Sequence, residues 1–366
     1  MKIAIIIPVL DLGGAETMCE NLAYSLEKYG NQVLIVSLYT RETAITSRLI
    51  KKGVQVVFLD KKSGFDGLLF IRLAKLLKRE KVDVVHTHIY SIKYGIIAAI
   101  LAGVKTRVHT VHNVAEKEAG KSARKLNAFF FKYCKVVPVA LSELVQASIE
   151  KEYAIPKENI PVAYNGIDLS NCIKKGSYSF DGEFVILNIA RFFEQKNHAG
   201  LIEAFAKFNK KYPKSRLWLI GDGELKDDII NRVKNENLTD KVDFLGLKSD
   251  VYPYLNRADA FVLSSNYEGI PMTLIEAMGT GLPIVATCVG GIPDMLTDEE
   301  SALIKKVSSD AIAEGLERIF LSDKLREYLG NNAMTESIRF SADTMAKNYL
   351  NIYIKRESNI QRGGFG

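Results

Sequence analysis

Cysteine is scarce and scattered. Cys19, Cys134, Cys172 and Cys288 form no Cys-x-x-Cys pair. That argues against a disulfide frame or a cysteine-based zinc site, and for reduced thiols in a cytosolic protein. Long apolar runs are missing too: no window approaches the ~18 uninterrupted apolar residues of a membrane-spanning helix. The apolar start from Ile3 to Leu10 meets Asp11 at once. It is too short for a secretory signal and lacks a small-residue cleavage site, so it reads as a buried first strand. There is no Asp-x-Asp and no His-Glu-x-x-His, so no metal is expected. No tract is of low complexity, and the basic half carries no nucleic-acid-binding motif.

What is present is ordinary globular material. The chain has 366 residues, 47% of them hydrophobic and 25% charged. A single core stops growing near ~250–300 residues, so two domains are expected. Short apolar runs alternate with helical patterns. Ile3–Val9, Gln32–Leu38, Val54–Leu59, Val82–Thr87, Arg107–Val111 and Lys135–Val139 read as strands. Ala15–Tyr29, Asp66–Lys81, Ser91–Ala102 and Lys121–Cys134 read as helices between them. The rhythm breaks in a polar stretch around 168–182. It then resumes with strands at Phe184–Ile189, Arg216–Ile220, Val242–Phe244, Ala260–Leu263 and Pro283–Ala286. This alternation predicts an α/β protein with two Rossmann-like, doubly wound parallel-sheet domains. The expected division is 1–170, a linker at 171–182, 183–338, and a final helix at 339–358 that returns to the first domain. The tail from Gln361 to Gly366 reads as a disordered end.

Ligands of such sheets sit beyond the strand C-termini, so the loops there matter most. The first strand runs into Gly13 and Gly14 and then a helix. Paired glycines allow close backbone approach, and the N–H groups of the helix start favour a phosphate; a plain tight turn is the other reading. After Phe184–Ile189 come Arg191 and Lys196, a bidentate fork and a point charge suited to a diphosphate. Glu268 lies in the loop after Ala260–Leu263, and Glu276 lies in the helix that follows, with Pro271 at its start. Carboxylates so placed can accept hydrogen bonds from sugar hydroxyls.

The Glu268–Glu276 pair has seven residues between its members. This resembles the E-x7-E signature of the GT-B retaining glycosyltransferases, family GT4. Further pieces follow in matching order along nearly the whole chain: Gly13-Gly14-Ala15-Glu16, Thr110-Val111-His112-Asn113, Asn165-Gly166-Ile167-Asp168, Arg191 with Lys196, Gly221-Asp222-Gly223-Glu224, and Gly290-Gly291-Ile292-Pro293. The resemblance implies a nucleotide-sugar donor, UDP being the first choice and GDP the second, and a cleft between the two domains as the reaction site. Arg191 and Lys196 would neutralise the leaving diphosphate. Glu268 would hold donor-sugar hydroxyls and Glu276 the ribose. The backbone of Gly13, Gly14, Gly221, Met272, Thr273 and Leu274 would meet the donor, and His112 would lie over the transferring sugar. The anomeric configuration would be retained. Ala190 and Tyr164 stand where the family commonly has Gly and Pro. The Glu-Gly-Ile-Pro loop is similar to that of capsule and exopolysaccharide members.

Charge is uneven. Residues 1–175 carry 26 Lys and Arg against 16 Asp and Glu, whereas 176–366 carry 23 against 27. In the basic half, Lys121, Arg124, Lys125 and Lys132 interleave with Phe129, Phe130, Phe131 and Tyr133. If exposed, this helix suits the anionic inner face of the cell membrane and a polyprenyl-diphosphate-linked glycan acceptor; if buried, it is core. A second such stretch is Leu68–Lys81. The enzyme alternative is a non-hydrolysing UDP-sugar 2-epimerase of the same fold. A nicotinamide dehydrogenase is disfavoured because the first loop lacks a third glycine.

Overall fold

A computed structural model describes residues 1–11 and 13–361; Leu12 and most of the tail read as disordered (362–366) lie outside the described residues. Contacts divide the chain into two units, Met1–Gly166 with Ala342–Gly366, and Ile167–Ser341. In the first unit the strands are β1 (Lys2–Ile7), β2 (Gln32–Ser37), β3 (Gln55–Phe58), β4 (Val84–His88), β5 (Thr106–Val111) and β6 (Val137–Ala140). They form one parallel sheet in the order β3-β2-β1-β4-β5-β6. In the second unit β7 (Phe184–Ile189), β8 (Ser215–Ile220), β9 (Val242–Gly246), β10 (Ala260–Leu263), β11 (Ile284–Thr287) and β12 (Leu303–Lys305) order as β12-β11-β10-β7-β8-β9. Both sheets therefore reverse direction beside their first strand, at β1/β4 and at β7/β10, where doubly wound sheets hold ligands.

Strand β1 shows why these runs are continuously apolar. Ile3, Ile5 and Ile7 pack on one face with Met18, Leu22 and Leu26 of the helix Gly14–Lys28. Ala4 and Ile6 pack on the other face with Leu69, Leu73, Leu77 and Tyr94. Alternate side chains point to opposite faces, and both faces are covered, so no position tolerates a polar group. Burying each such Ile or Leu contributes about 1.5–3 kcal/mol.

Two findings differ from the sequence reading of the connections. The polar stretch 171–182 is held in the second unit. Lys175 Nζ donates to the Ala258 carbonyl at 2.6 Å, and Tyr178 Oη donates to the Gly281 carbonyl at 2.8 Å. The fully buried Arg326 donates to the Tyr178 carbonyl at 2.7 Å and to the Ile319 and Phe320 carbonyls. Lys and Tyr heads reaching buried carbonyls fix a segment that composition alone marks as loop. Strand β12 and the helices Ala44–Lys51 and Glu143–Tyr153 are further elements, the first two too short to stand out by periodicity.

The final helix, Ala342–Gln361, belongs to the first unit, where Met345, Ala346, Tyr349 and Tyr353 join the core of β1 and its flanking helix. The chain passes between units after Gly166 and after Ser341, and Ile167 N–H donates to the Phe340 carbonyl at 3.1 Å.

Candidate functional site

In the second unit, the loops after β7 and β10 lie at the reversal of strand order. Asn197 adopts φ 48° and caps the helix His198–Lys211 through Gly200 N–H at 3.1 Å. This sharp start folds the 191–197 loop back against the loop after β10. Ser264 Oγ donates to the Lys196 or Asn197 carbonyl, and Asn266 N–H donates to the Gln195 carbonyl at 2.8 Å. The result brings Lys196 and Glu268 together: Lys196 Nζ lies 2.6 Å from Glu268 Oε1. Ser265 Oγ donates to the same oxygen at 2.5 Å, and Gln195 Nε2 reaches Oε2 at 3.5 Å and the Tyr267 carbonyl at 3.1 Å. Glu268 is 7% exposed, so its charge is offset by this ring of donors. Arg191 is exposed at the end of β7. Behind it, buried His198 stacks on Phe192 at 4.2 Å, and burial pushes its imidazole down to about 4.

Two glycines set this geometry through backbone approach. Gly290 sits at φ +59°, and a Cβ there would fall 1.8 Å from the Glu268 carbonyl oxygen. Gly221 sits at φ +145°, where a Cβ would meet the Ala190 carbonyl oxygen at 2.0 Å. Its glycine is therefore required by the packing of two loops.

Glu276 lies on the helix Met272–Thr280. Desolvation, with the Asp250 carboxylate adding to it, pushes its carboxyl up to about 8. Its surroundings include Cys172, whose thiol burial raises to about 12 with Glu276 and Asp168 contributing. Tyr252 is held high by burial and by the same acids. A carboxyl so raised holds its proton at neutral pH, so that its carbonyl oxygen can accept a hydrogen bond and its O–H can donate one. At the helix start Pro271 is the cap, and Leu274 N–H is already turned onto the Pro271 carbonyl at 3.1 Å. Leu274 shares this first turn with Met272 and Thr273.

In the first unit, Gly13 is the extended N-cap of the helix Gly14–Lys28, its carbonyl accepting Thr17 N–H at 2.9 Å. His112 follows β5 and is half-buried; burial pushes its imidazole down to about 4. Its Nε2 is 2.9 Å from His88 Nδ1 at the end of β4. His88 in turn lies against His86, ring centroids 4.2 Å apart. His86 bonds Thr110 Oγ1 at 2.7 Å and the Tyr353 hydroxyl at 2.8 Å, and Thr110 bonds the Tyr349 hydroxyl at 2.8 Å. His109 bonds Thr87 at 3.0 Å. Among the described residues no three His, Cys, Asp or Glu side chains gather as a metal site.

Glu118 was missed by sequence reasoning. Burial pushes its carboxyl up to about 7, and it accepts the backbone N–H groups of His112 and Asn113. Only the return of the 112–120 loop brings it there. His88 carried a signal: His86 and His88 alternate on one strand face.

The helix Lys121–Tyr133 is amphipathic. Phe130 and Phe131 are core, while Lys121, Lys125, Phe129, Lys132 and Tyr133 are exposed. Arg124 does not join that face. It donates to the Glu116 carbonyl at 2.9 Å and pairs with Glu152 at 3.1 Å, because its side of the helix faces the helix Glu143–Tyr153. No helix among the described residues is long and apolar enough to cross a membrane.

Comparison with known proteins yields consistent matches. The profile of the family described as Glycosyltransferase Family 4 matches residues 12–171, and that of Glycosyl transferases group 1 matches residues 172–336. The chain is similar to the UDP-Gal:alpha-D-GlcNAc-diphosphoundecaprenol alpha-1,3-galactosyltransferase of Escherichia coli, 33% identical over 289 residues, 73% of this chain and 74% of that protein. It is 27% identical over 305 residues to the N-acetyl-alpha-D-glucosaminyl L-malate synthase of Bacillus anthracis, 79% of each chain. Among solved structures, HepE of Anabaena in complex with UDP-glucose superposes with a TM-score of 0.83 at 19% identity, over 98% of this chain and 100% of that one. That likeness shows the GT-B fold.

Proposed function

Since this chain belongs to the group 1, family 4 glycosyltransferases and is a transferase enzyme, we propose that it moves a sugar from a UDP-sugar, with retention of configuration, onto a lipid-diphosphate-linked glycan acceptor in surface polysaccharide synthesis. The observation that carries the reading is the Lys196–Glu268 pair at the β7/β10 reversal. Two relatives, in Escherichia coli and in Campylobacter jejuni, are named for undecaprenol-diphosphate-linked sugars, whereas the Bacillus anthracis relative is named for L-malate; the first two support the acceptor class.

In this reading Arg191 and Lys196 neutralise the departing diphosphate, with the amides of Met272 and Thr273 adding donors at the helix start. Glu276 accepts both ribose hydroxyls, and Glu268 hydroxyls of the donor sugar. Gly221 shapes the loop beneath them. The first unit supplies His112 to the transferring sugar, and the Gly13-Gly14 turn supplies backbone amides. Attack occurs on the face the leaving group departs from, without a covalent intermediate, so catalysis is charge stabilisation and positioning. No metal takes part. The face of Lys121, Lys125 and Lys132 with Phe129 and Tyr133 rests on the anionic inner membrane surface, where the acceptor lies.

The test is donor hydrolysis over a panel of nucleotide sugars, with and without EDTA, on the wild type and Glu276→Ala. Slow UDP release from one donor, unaffected by EDTA and weakened by the substitution, is expected. Retention is read from the anomeric coupling of the product. Conversion of UDP-GlcNAc to its 2-epimer without acceptor would replace this reading with the epimerase. No nucleotide binding by folded protein would remove the site assignment.

A further inference from the structure

Two histidines of the first unit, His88 and His112, share a hydrogen bond, and its direction can be assigned. His86 has both ring nitrogens engaged, by Thr110 and by Tyr353. His88 has one engaged nitrogen, Nδ1, which faces His112 Nε2 at 2.9 Å. Its other nitrogen, Nε2, is buried and without a partner. Burial holds both rings neutral, so each carries one proton. Two arrangements are available. If His112 donated through Nε2–H, the His88 proton would have to sit on Nε2, a buried donor with nothing to accept it. If His88 donates through Nδ1–H, only a lone pair is left unpaired on His88 Nε2. An orphaned buried N–H costs more than an orphaned lone pair, so the second arrangement is favoured.

We propose that His88 is the positioning residue for His112, donating Nδ1–H to His112 Nε2 and so holding His112 as the neutral Nδ1–H tautomer, with that N–H as the group presented to the transferring sugar. The functional half rests on the reading that His112 meets that sugar. His112 is then a hydrogen-bond donor to a donor-sugar oxygen, and neither a base nor a cation. The support behind it is stiff. His88 N–H donates to Ser91 Oγ at 3.1 Å. The His88 ring lies against His86, which the tyrosines of the final helix hold. From the other side, Glu118 accepts the backbone N–H of His112. The ring therefore has its orientation set through its side chain and its backbone at once.

The test uses the full chain labelled with 15N-histidine at pH 7, with long-range proton–nitrogen correlation assigned through His112→Ala. The wild type should show His112 protonated on Nδ1 and His88 on Nδ1. His88→Leu should abolish that single tautomer for His112, and should lower kcat about tenfold, the worth of one hydrogen bond, with the donor KM unchanged. His88→Asn, whose side-chain amide N–H can stand in for Nδ1–H, should restore most of the turnover. A His112 protonated on Nε2 in the wild type would overturn the assignment. So would equal losses in His88→Leu and His88→Asn, since a packing role predicts that pattern. Unchanged turnover in His112→Ala would overturn the role in the reaction, while the spectrum would still decide the tautomer by itself.

Discussion

The two sheets share one strand order, yet the loops at their reversal points carry opposite chemistry. At β1, β4 and β5 the groups are neutral: four histidines, two threonines and two tyrosines that bond one another. At β7 and β10 they are charged: Lys196 paired to Glu268, Arg191 exposed after β7, and Glu276 on the helix that follows β10. The net charges of the halves run the other way, the first being basic and the second acidic. Bulk charge therefore does not say where a diphosphate is met; the local ring of partners does. A scaffold that fixes only strand ends leaves the loops free to differ.

The sharpest way to break this comparison is to remove one member of the charged pair. Lys196→Ala should lower turnover by roughly 10²–10³-fold, as loss of a group aimed at developing charge does. It should also destabilise the second unit by about 3–5 kcal/mol, because Glu268 stays buried without its cation. Steady-state kinetics and thermal melts measure both. A variant as active as the wild type would place the leaving-group chemistry elsewhere.

A smaller effect of unusual sign is expected at Glu276. Its folded carboxyl titrates near 8 against a reference of 4.5. Between those values the native state holds a proton that the unfolded chain has lost, so stability falls as pH rises through this window and levels off above it. Glu276→Gln cannot ionise, so it should be more stable than the wild type at pH 9 by on the order of a few kcal/mol, and similar to it at pH 4. UDP affinity should fall in the same variant. Melting temperature against pH, with and without UDP, checks both; parallel curves would sink the idea of a strained binding carboxyl.

The smallest effects concern the exposed helix face. Lys125→Glu with Lys132→Glu should weaken binding to vesicles containing anionic lipid by about 1 kcal/mol per charge. Arg124→Ala should instead lower stability, since its guanidinium is tied to Glu116 and Glu152. Vesicle sedimentation and melts separate the two; equal effects on binding would restore Arg124 to the surface set.

Much of this was legible from short-range pattern. Strands Phe184–Ile189 and Ala260–Leu263 were read to the residue, since a strand buried on both faces is a nearly continuous apolar run, its one polar member, Asn188, donating to the Val262 carbonyl at 2.8 Å. The Glu268–Glu276 spacing marked both carboxylates, but not their different states. One is ringed by Lys196, Ser265 and Gln195; the other is packed among acids. His112 was singled out, but its partner lies 24 residues earlier. Arg124 shares its composition signal with Lys121 and Lys125, and only the neighbouring helix turns it inward.

The sequence by itself determined the two α/β units, their motifs and the loops that hold them, because hydrophobic period and glycine placement act over a few residues. The tertiary structure alone decided which polar groups are paired, which are neutral and which face solvent. Those properties depend on burial and on partners distant along the chain, as when Tyr353 reaches His86 across 267 residues.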